Sequence, residues 1–504
     1  MPMMSNSTFF VLLVVPLVAA GCGTTPGVND PGEAVPESLC IEQLAMDQVI
    51  DGCGVFVTDP FFGGDDANPG TKDRPVRSMQ RGIELARTGR GRVFLTNLSL
   101  DEHVTLPSGV DIYGGFQLVD WGRGPGDTTK IVPRSGRSIA LIVEPAGAGD
   151  TGAADGVSTI DHVTVLGGIH VGMLVRSDTV VEFTRGKIRA SWGLGGRDGE
   201  EWPWPSQAAD GPHGMYGGDA CSAATIAGGP AVVNPCDGGM PSVSGKGGDG
   251  LPDGAEDGDT GTPVLASDPT SSGRGGDGDR EVDGGCDSGF HGSPGLWGTP
   301  GAVGEGIGRI TETGWEGDGA AEGSRGMPGQ GGGGGGGRRG GLVVCGEAAK
   351  GGAGGGSGGA GGCGGRGGRG GGNGQPTIGI VALHAKLTVR DSEIETLDAG
   401  TGGDGGEPED GGKGGRGAPG GAVGDGRWGC EGGNGGRGGD GGYGGPGRGG
   451  DSIGIAYLDE DQLTIEGVTY KLGLPGKGGV SWDWSGEEIR GEDGTRVETL
   501  RFPE

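Results

Sequence analysis

The apolar positions of this chain fall into short runs of β type that recur, separated by long stretches nearly free of large apolar side chains. Three segments share one pattern: HVGMLVRSDTVVEFTRGKI at 170 to 188, TIGIVALHAKLTVRDSEIET at 377 to 396 and SIGIAYLDEDQLTIEGVTY at 452 to 470. In each, an apolar-Gly-apolar triplet leads nine or ten residues later to a β-branched run. The triplets are Val171-Gly172-Met173, Ile378-Gly379-Ile380 and Ile453-Gly454-Ile455, and the runs begin at Val180, Leu387 and Leu463. A looser fourth copy begins at Ser138-Ile139 and resumes at Thr159-Ile160. Short β units that cannot enclose a core alone, repeated along a chain, predict the coils of a solenoid.

Towards the N-terminus the pattern changes. Val55-Phe56-Val57 predicts a short strand, followed by a turn-rich loop. Val76, Met79, Ile83 and Ala86 then fall on one face of a helix that starts after Asp73 and Pro75 and stops at Gly89. Three strands follow at 92 to 96, 103 to 106 and 110 to 113. Residues 41 to 52 suggest another short helix.

Between the β blocks the chain is dominated by Gly, Asp, Arg and Ser. The resulting division is an export signal at 1–21, a tether at 22–52, β coils at 53–197, a glycine-rich insertion at 198–375, a coil at 376–397, a second insertion at 398–451 and final coils at 452–504. Both insertions leave and return at one phase of the repeat, which predicts a glycine-rich mass on one flank. Its glycines are ordered: from 426 the chain reads GRW GCE GGN GGR GGD GGY GGP GRG, and 355 to 372 is built the same way. A period of three suits extended helices with three residues per turn, packed through their glycine edges with the third edge in water. The alternative is disorder, because glycine loses the most backbone entropy on folding. Collagen would need far more proline than the 30 present.

Composition supports this picture: only 32% of the 504 residues are hydrophobic and 131 are glycine, too little for a large conventional core. The net charge of -30 argues against nucleic acid and anionic membrane surfaces as partners.

Residues 9 to 20 are apolar and run into Ala19-Ala20-Gly21-Cys22. This is the form of an export signal and is too short to cross a bilayer comfortably. The site resembles a bacterial lipobox, which implies that Cys22 becomes the lipid-carrying N-terminus, with membrane attachment at the outer membrane or cell surface. Simple secretion, with Cys22 an ordinary thiol, is the alternative. Eight cysteines remain, an even number in an exported chain, which favours disulfides. Nearest-neighbour pairing gives Cys40 with Cys53, Cys221 with Cys236, Cys286 with Cys345 and Cys363 with Cys430.

The segments GVFV, GGDDANPGTKDRPVRSMQRGIELA, GRVFL and VTLPSGVDIYGGF, within 53 to 122, resemble the opening of a family of unknown function in the pectin-lyase-like superfamily. That resemblance implies an all-β fold: a right-handed parallel β-helix with an N-terminal capping helix, here carrying glycine-rich insertions that are polyproline- or polyglycine-II-like or disordered. The insertions resemble PGRS-type glycine-rich surface proteins in composition. Pectate lyases of the superfamily use calcium-holding acids and a basic residue, and related hydrolases use paired aspartates near Gly-His-Gly and Arg-Ile-Lys. None of these motifs occurs here, so no catalytic residue is assigned.

Other candidate chemistry is sparse. His103, His162, His170 and His384 stand singly in β segments, and His213 and His291 lie in glycine-rich sequence. Asp279, Glu281 and Asp283 alternate before Gly284 like the start of a calcium loop, with Phe290 where its bidentate Glu belongs, so a solvated acidic loop is the simpler reading and no cofactor is assigned. The pairs Trp202 with Trp204 and Trp482 with Trp484 fit either sugar stacking or a plug at the end of a solenoid, the plug being favoured. Two functions are therefore expected. The first is non-enzymatic display of glycine-rich loops at the cell surface, for contact with extracellular polysaccharide, matrix or a neighbouring cell. The second is a polysaccharide lyase or glycosidase acting along the β-helix groove. Clustered buried carboxylates with a basic neighbour favour the enzyme, and a groove of Thr, Ser and isolated charges favours display.

Overall fold

The structure is a computed structural model and describes residues 35–133, 139–147, 156–168, 170–203, 206–264, 271–281, 284–424 and 427–503. The export signal, Cys22, the first part of the tether, Ser138, Trp204 and Asp283 lie outside the described residues.

The described residues are mostly strands and extended segments with few helices, and their main strands form three parallel sheets of seven, six and six strands. Successive strands visit these sheets in rotation. Val171–Val175 lies in the second sheet, Val180–Thr184 in the first and Lys187–Ala190 in the third; Thr377–Ala382, Lys386–Arg390 and Glu393–Thr396 repeat the cycle, as do Ser452–Tyr457, Leu463–Glu466 and Thr469–Lys471. The repeats are in register: Met173, Ile380 and Ile455 stand side by side, as do Val181, Leu387 and Leu463, and Ile188, Ile394 and Tyr470. One core cluster takes side chains from all three sheets, Met173, Ile380 and Ile455 among them.

The glycine of each triplet has a steric cause. A Cβ on Gly172 or Gly379 would come closer than 3.0 Å to Ile188 or Ile394 of the third sheet, so the position is reserved for hydrogen. Between the first and third sheets the chain turns through a left-handed residue at four successive levels, His162, Arg185, Asp391 and Gly467, with φ of 53, 48, 46 and 64°. The corners at His162 and Arg185 are anchored by Asp161, whose buried carboxylate accepts from Arg123, Thr184 and Arg185, each at 2.8 Å, and pairs with His162 at 2.9 Å.

The predicted helix forms as Met79–Ala86 (α2), capped by Ser78, with Met79, Ile83 and Ala86 buried against Val57 and Val93. The helix expected at 41 to 52 lies earlier, at Glu37–Ala45 (α1): Pro36 starts it, and Asp47, at φ 56°, turns the chain away. Ser99–Leu100, too short to carry a pattern, is an additional strand of the third sheet.

The glycine-rich excursions leave after Ala190 and Thr396, at the ends of third-sheet strands, and return at Thr377 and Ser452 of the second sheet. Their described residues are held to one another by backbone bonds that advance by three. Gly356, Gly359, Gly362, Gly365, Gly368 and Gly371 donate to the carbonyls of Cys430, Gly433, Gly436, Gly439, Gly442 and Gly445 in a parallel rod. Ser357, Ala360 and Cys363 donate to Met215, Pro212 and Ala209 of an antiparallel one. A third edge sends Gly355 and Gly358 to Gly248 and Gly245.

Burial then follows composition. Residues 351–365 are all buried and carry only Gly, Ala, Ser and Cys, and the seven consecutive glycines 331–337 are buried too. Peripheral rods show the two-edge pattern instead, with Glu431, Asn434 and Arg437 exposed between buried or half-buried glycines. A Cβ at Gly362 or Gly436 would lie closer than 3.0 Å to a neighbouring carbonyl, which explains why the packed edges are glycine.

Disulfides join these rods. Cys40 pairs with Cys53, as nearest-neighbour pairing requires, but the other bonds are Cys221–Cys345, Cys236–Cys363 and Cys286–Cys430. Nearest-neighbour pairing fails because proximity in the mass runs between adjacent rods. Residues more than a hundred apart in sequence thereby meet, with Cα separations of 5.3, 5.3 and 5.8 Å.

Candidate functional site

Strand alternation turns Val163, Val165, Ile188 and Ile394 inward and leaves Thr164, Lys187, Arg189, Glu393, Glu395, Thr469 and Lys471 on the outer surface of the third sheet. An open groove of about 580 Å³ crosses this surface, lined by Thr128, Thr164, Lys187, Ser392, Glu393 and Thr469 among others. Its lysine side is paired: Lys187 Nζ lies 2.7 Å from Glu393 and 2.5 Å from Glu395, and Lys471 Nζ lies 2.7 Å from the other oxygen of Glu393. The hydrogen bonds from Lys187 and Lys471 hold the Glu393 carboxyl below its ordinary range. A carboxylate so held is a poor proton donor near neutrality.

Carboxyls with raised pKa lie elsewhere. Burial pushes Asp111 up to about 6, against the hydrogen bond from the Thr159 N–H and the charge of Arg92 at 3.9 Å. Burial also raises Glu102, which accepts the N–H groups of Met79 and Gln80 at 2.8 and 3.1 Å and so holds the start of α2. Glu102 borders a second cleft of about 520 Å³ together with Asp59, Arg77, Ser78, Asp101 and His103. Asp161 is held well below the carboxylate range: its hydrogen bonds to His162, Arg185 and Thr184 outweigh the cost of its burial.

The histidines are spread over the molecule. His103 Nδ1 meets the Ile139 carbonyl, His162 meets Asp161, and His384 meets Asp459 at 2.9 Å. His170 is half-buried with its shielded Nδ1 unpartnered, and desolvation lowers its pKa. His213 and His291 serve the rods, accepting the N–H of Arg416 and Asn434 at 2.9 and 2.8 Å.

The aspartates of the glycine-rich stretches follow the same logic. Asp198, Asp210, Asp219, Asp398 and Asp404 accept the N–H groups of Asp404, Lys413, Ala422, Leu474 and Val480 at 2.6 to 2.8 Å. A side-chain oxygen thus stands in for a carbonyl where two rods meet, a role the sequence reading missed although these aspartates recur among the triplets. Asp279, of the calcium-like loop, lies 3.6 Å from Arg338, and Glu281 is exposed. Among the described residues no three potential metal-ligating side chains converge.

Trp202 and Trp484 do not plug the end of the sheets. Trp202 donates to the Gly367 carbonyl at 3.0 Å and lies under Arg366, 3.8 Å from its ring centre. Trp484, at the tip of the hairpin formed by Val480–Trp482 and Glu488–Arg490, packs on Trp297 at 5.0 Å and Tyr443 at 5.3 Å. These rings lie on the glycine rods, which the periodicity of residues 482 and 484 alone does not reveal.

Comparison with protein-family profiles, curated proteins and solved structures returns no match.

Proposed function

We propose that this protein is a non-enzymatic, lipid-anchored cell-surface protein that presents a rigid glycine-rich mass for adhesion to glycans, matrix or neighbouring cells. In this reading the three sheets are one right-handed parallel β-helix of pectin-lyase-like type, α2 is its N-terminal cap and the rods are polyglycine-II-like. The rotation of strands among three sheets around one core supports the architecture. Four disulfides support an oxidising compartment outside the cytoplasm. The anchor rests on the lipobox-like sequence at Cys22, and labelling with a radioactive fatty acid tests it; an unlabelled mature chain would remove it.

The observation that carries the non-enzymatic reading is the groove of the third sheet, lined by Thr128, Thr164, Ser392 and Thr469, whose Glu393 is held ionised between Lys187 and Lys471. A second reading, a polysaccharide lyase or glycosidase, draws on the raised Glu102 beside Arg77 and Ser78. The two hydrogen bonds that Glu102 accepts from the N–H groups of Met79 and Gln80 give that carboxyl a structural task. Incubating the mature chain with a broad glycan panel separates the two: retention without new reducing ends supports display, and release of new ends overturns it.

A further inference from the structure

Tryptophan is ordinarily withdrawn from water, yet Trp192, Trp297, Trp428 and Trp482 are exposed here, all within or beside the glycine-rich flank. One group is built as a platform. Trp297, 56% exposed, projects from the rod at 292 to 304 beside Leu296, 51% exposed. The half-buried Trp484 is tilted 39° to it at 5.0 Å, and Tyr443 completes the cluster from the adjoining rod.

The platform is rigid. Trp484 Nε1 donates to the Gly298 carbonyl at 2.8 Å, and Ser481 Oγ donates to the Gly444 carbonyl at 2.6 Å, fastening the hairpin to both rods. Beneath, Gly298 and Gly301 donate to the carbonyls of Asp440 and Tyr443, each at 2.8 Å. The one polar atom of the Trp484 indole is thus satisfied within the protein, and what the cluster offers a ligand is ring face.

We propose that Trp297, Trp484 and Tyr443 form a binding platform for an uncharged polysaccharide, stacking the apolar C–H face of a hexose ring on the exposed indole of Trp297. Three observations select this occupant. The apolar area is a few rings wide, far below what a stable protein interface buries. Its surroundings are rich in hydroxyl partners: Thr299 and Ser324, 3.0 Å apart and exposed, and Glu487 at the hairpin tip, which suit the hydroxyls around a sugar ring. The hairpin carries Asp483, Glu487 and Glu488 on a chain of net charge -30, which disfavours acidic polysaccharides. This site deepens the glycan-contact reading above and rests on it.

Affinity electrophoresis of the full mature chain, in gels containing galactomannan, hydroxyethyl cellulose or polygalacturonate, tests the assignment. The expected result is retardation by a neutral polymer and none by polygalacturonate. Trp297→Ala should weaken the retardation roughly tenfold, the loss of one stacked ring. Trp297→Tyr should restore most of it, and Trp428→Ala should leave it unchanged. The urea midpoint of each variant reports its folding, and Trp297→Ala, at an exposed site, is expected to fold as the parent does. Retardation that survives Trp297→Ala overturns the platform while leaving glycan contact standing. Failure of every polymer to retard the parent removes both. Preference for polygalacturonate, or a Trp297→Ala variant that differs from the parent only in self-association by light scattering, also overturns the proposal, the latter by making the patch a contact between copies.

Discussion

Gly436→Ala tests whether the rods are a packed lattice. The new methyl would lie closer than 3.0 Å to the carbonyl group of Ser293, and that rod must move to admit it. Its movement stretches the bonds from Gly292 to Asn434 and from Gly295 to Arg437, each 2.8 Å long. Two such bonds contribute about 1–3 kcal/mol together, and overpacking against backbone adds about 1–3 kcal/mol more. The expected loss is therefore about 2–6 kcal/mol. By contrast Arg437→Ala, at an exposed third edge paired only with acidic surface neighbours, should change stability by about 0.5 kcal/mol or less. An alanine scan of residues 432 to 439, read by urea midpoint and by amide exchange across the rods, should show two damaging positions followed by one neutral one. A flat scan, or fast exchange throughout the parent's rods, would refute the packing argument.

Further outcomes follow from the core and the cross-links. Asp161→Ala leaves the buried Arg123 without its inner partner and should destabilise by about 3–5 kcal/mol, measured by urea denaturation. Asp111 is a carboxyl raised from 3.8 to about 6, so its contribution is fully present below about pH 3.8 and is lost as pH rises through 6. Asp111→Asn keeps an acceptor for the Thr159 N–H and should remove that part of the pH dependence, about 3 kcal/mol between pH 4 and 7; an unchanged profile would show that Asp111 is not its source. Peptide mapping without reduction should recover Cys221 with Cys345, Cys236 with Cys363 and Cys286 with Cys430, and recovery of Cys221 with Cys236 would contradict the rod arrangement.

What could be read in the sequence follows from the range of the forces involved. The repeats were legible because a strand's inward positions must be apolar at every level, so Met173, Ile380 and Ile455 carry the same signature wherever the chain wanders between them. α2 was legible from its apolar face, while α1 was displaced because its start depends on Pro36 and its end on a left-handed Asp47. The threefold glycine pattern gave the geometry of each rod but not its neighbours, because most rods present the same glycine edges to one another. The cysteine pairing and the Trp297–Trp484 contact depend on which rods adjoin, and so escaped. One signal was present and overlooked. Where glycine fills every edge, as at 331–337, the rod lies at the centre, and where every third residue is charged, as at 431–437, it lies outside.

The bond period of three also bears on how such a mass can change in length. Deleting or adding three residues in a rod moves each later side chain along by one turn without altering the direction in which it points. A single-residue deletion rotates every later position by a third of a circle, driving arginines into the lattice and glycines into solvent. Variants of this protein should therefore tolerate length changes in whole triplets, as nine-nucleotide steps in the coding sequence, and reject the others.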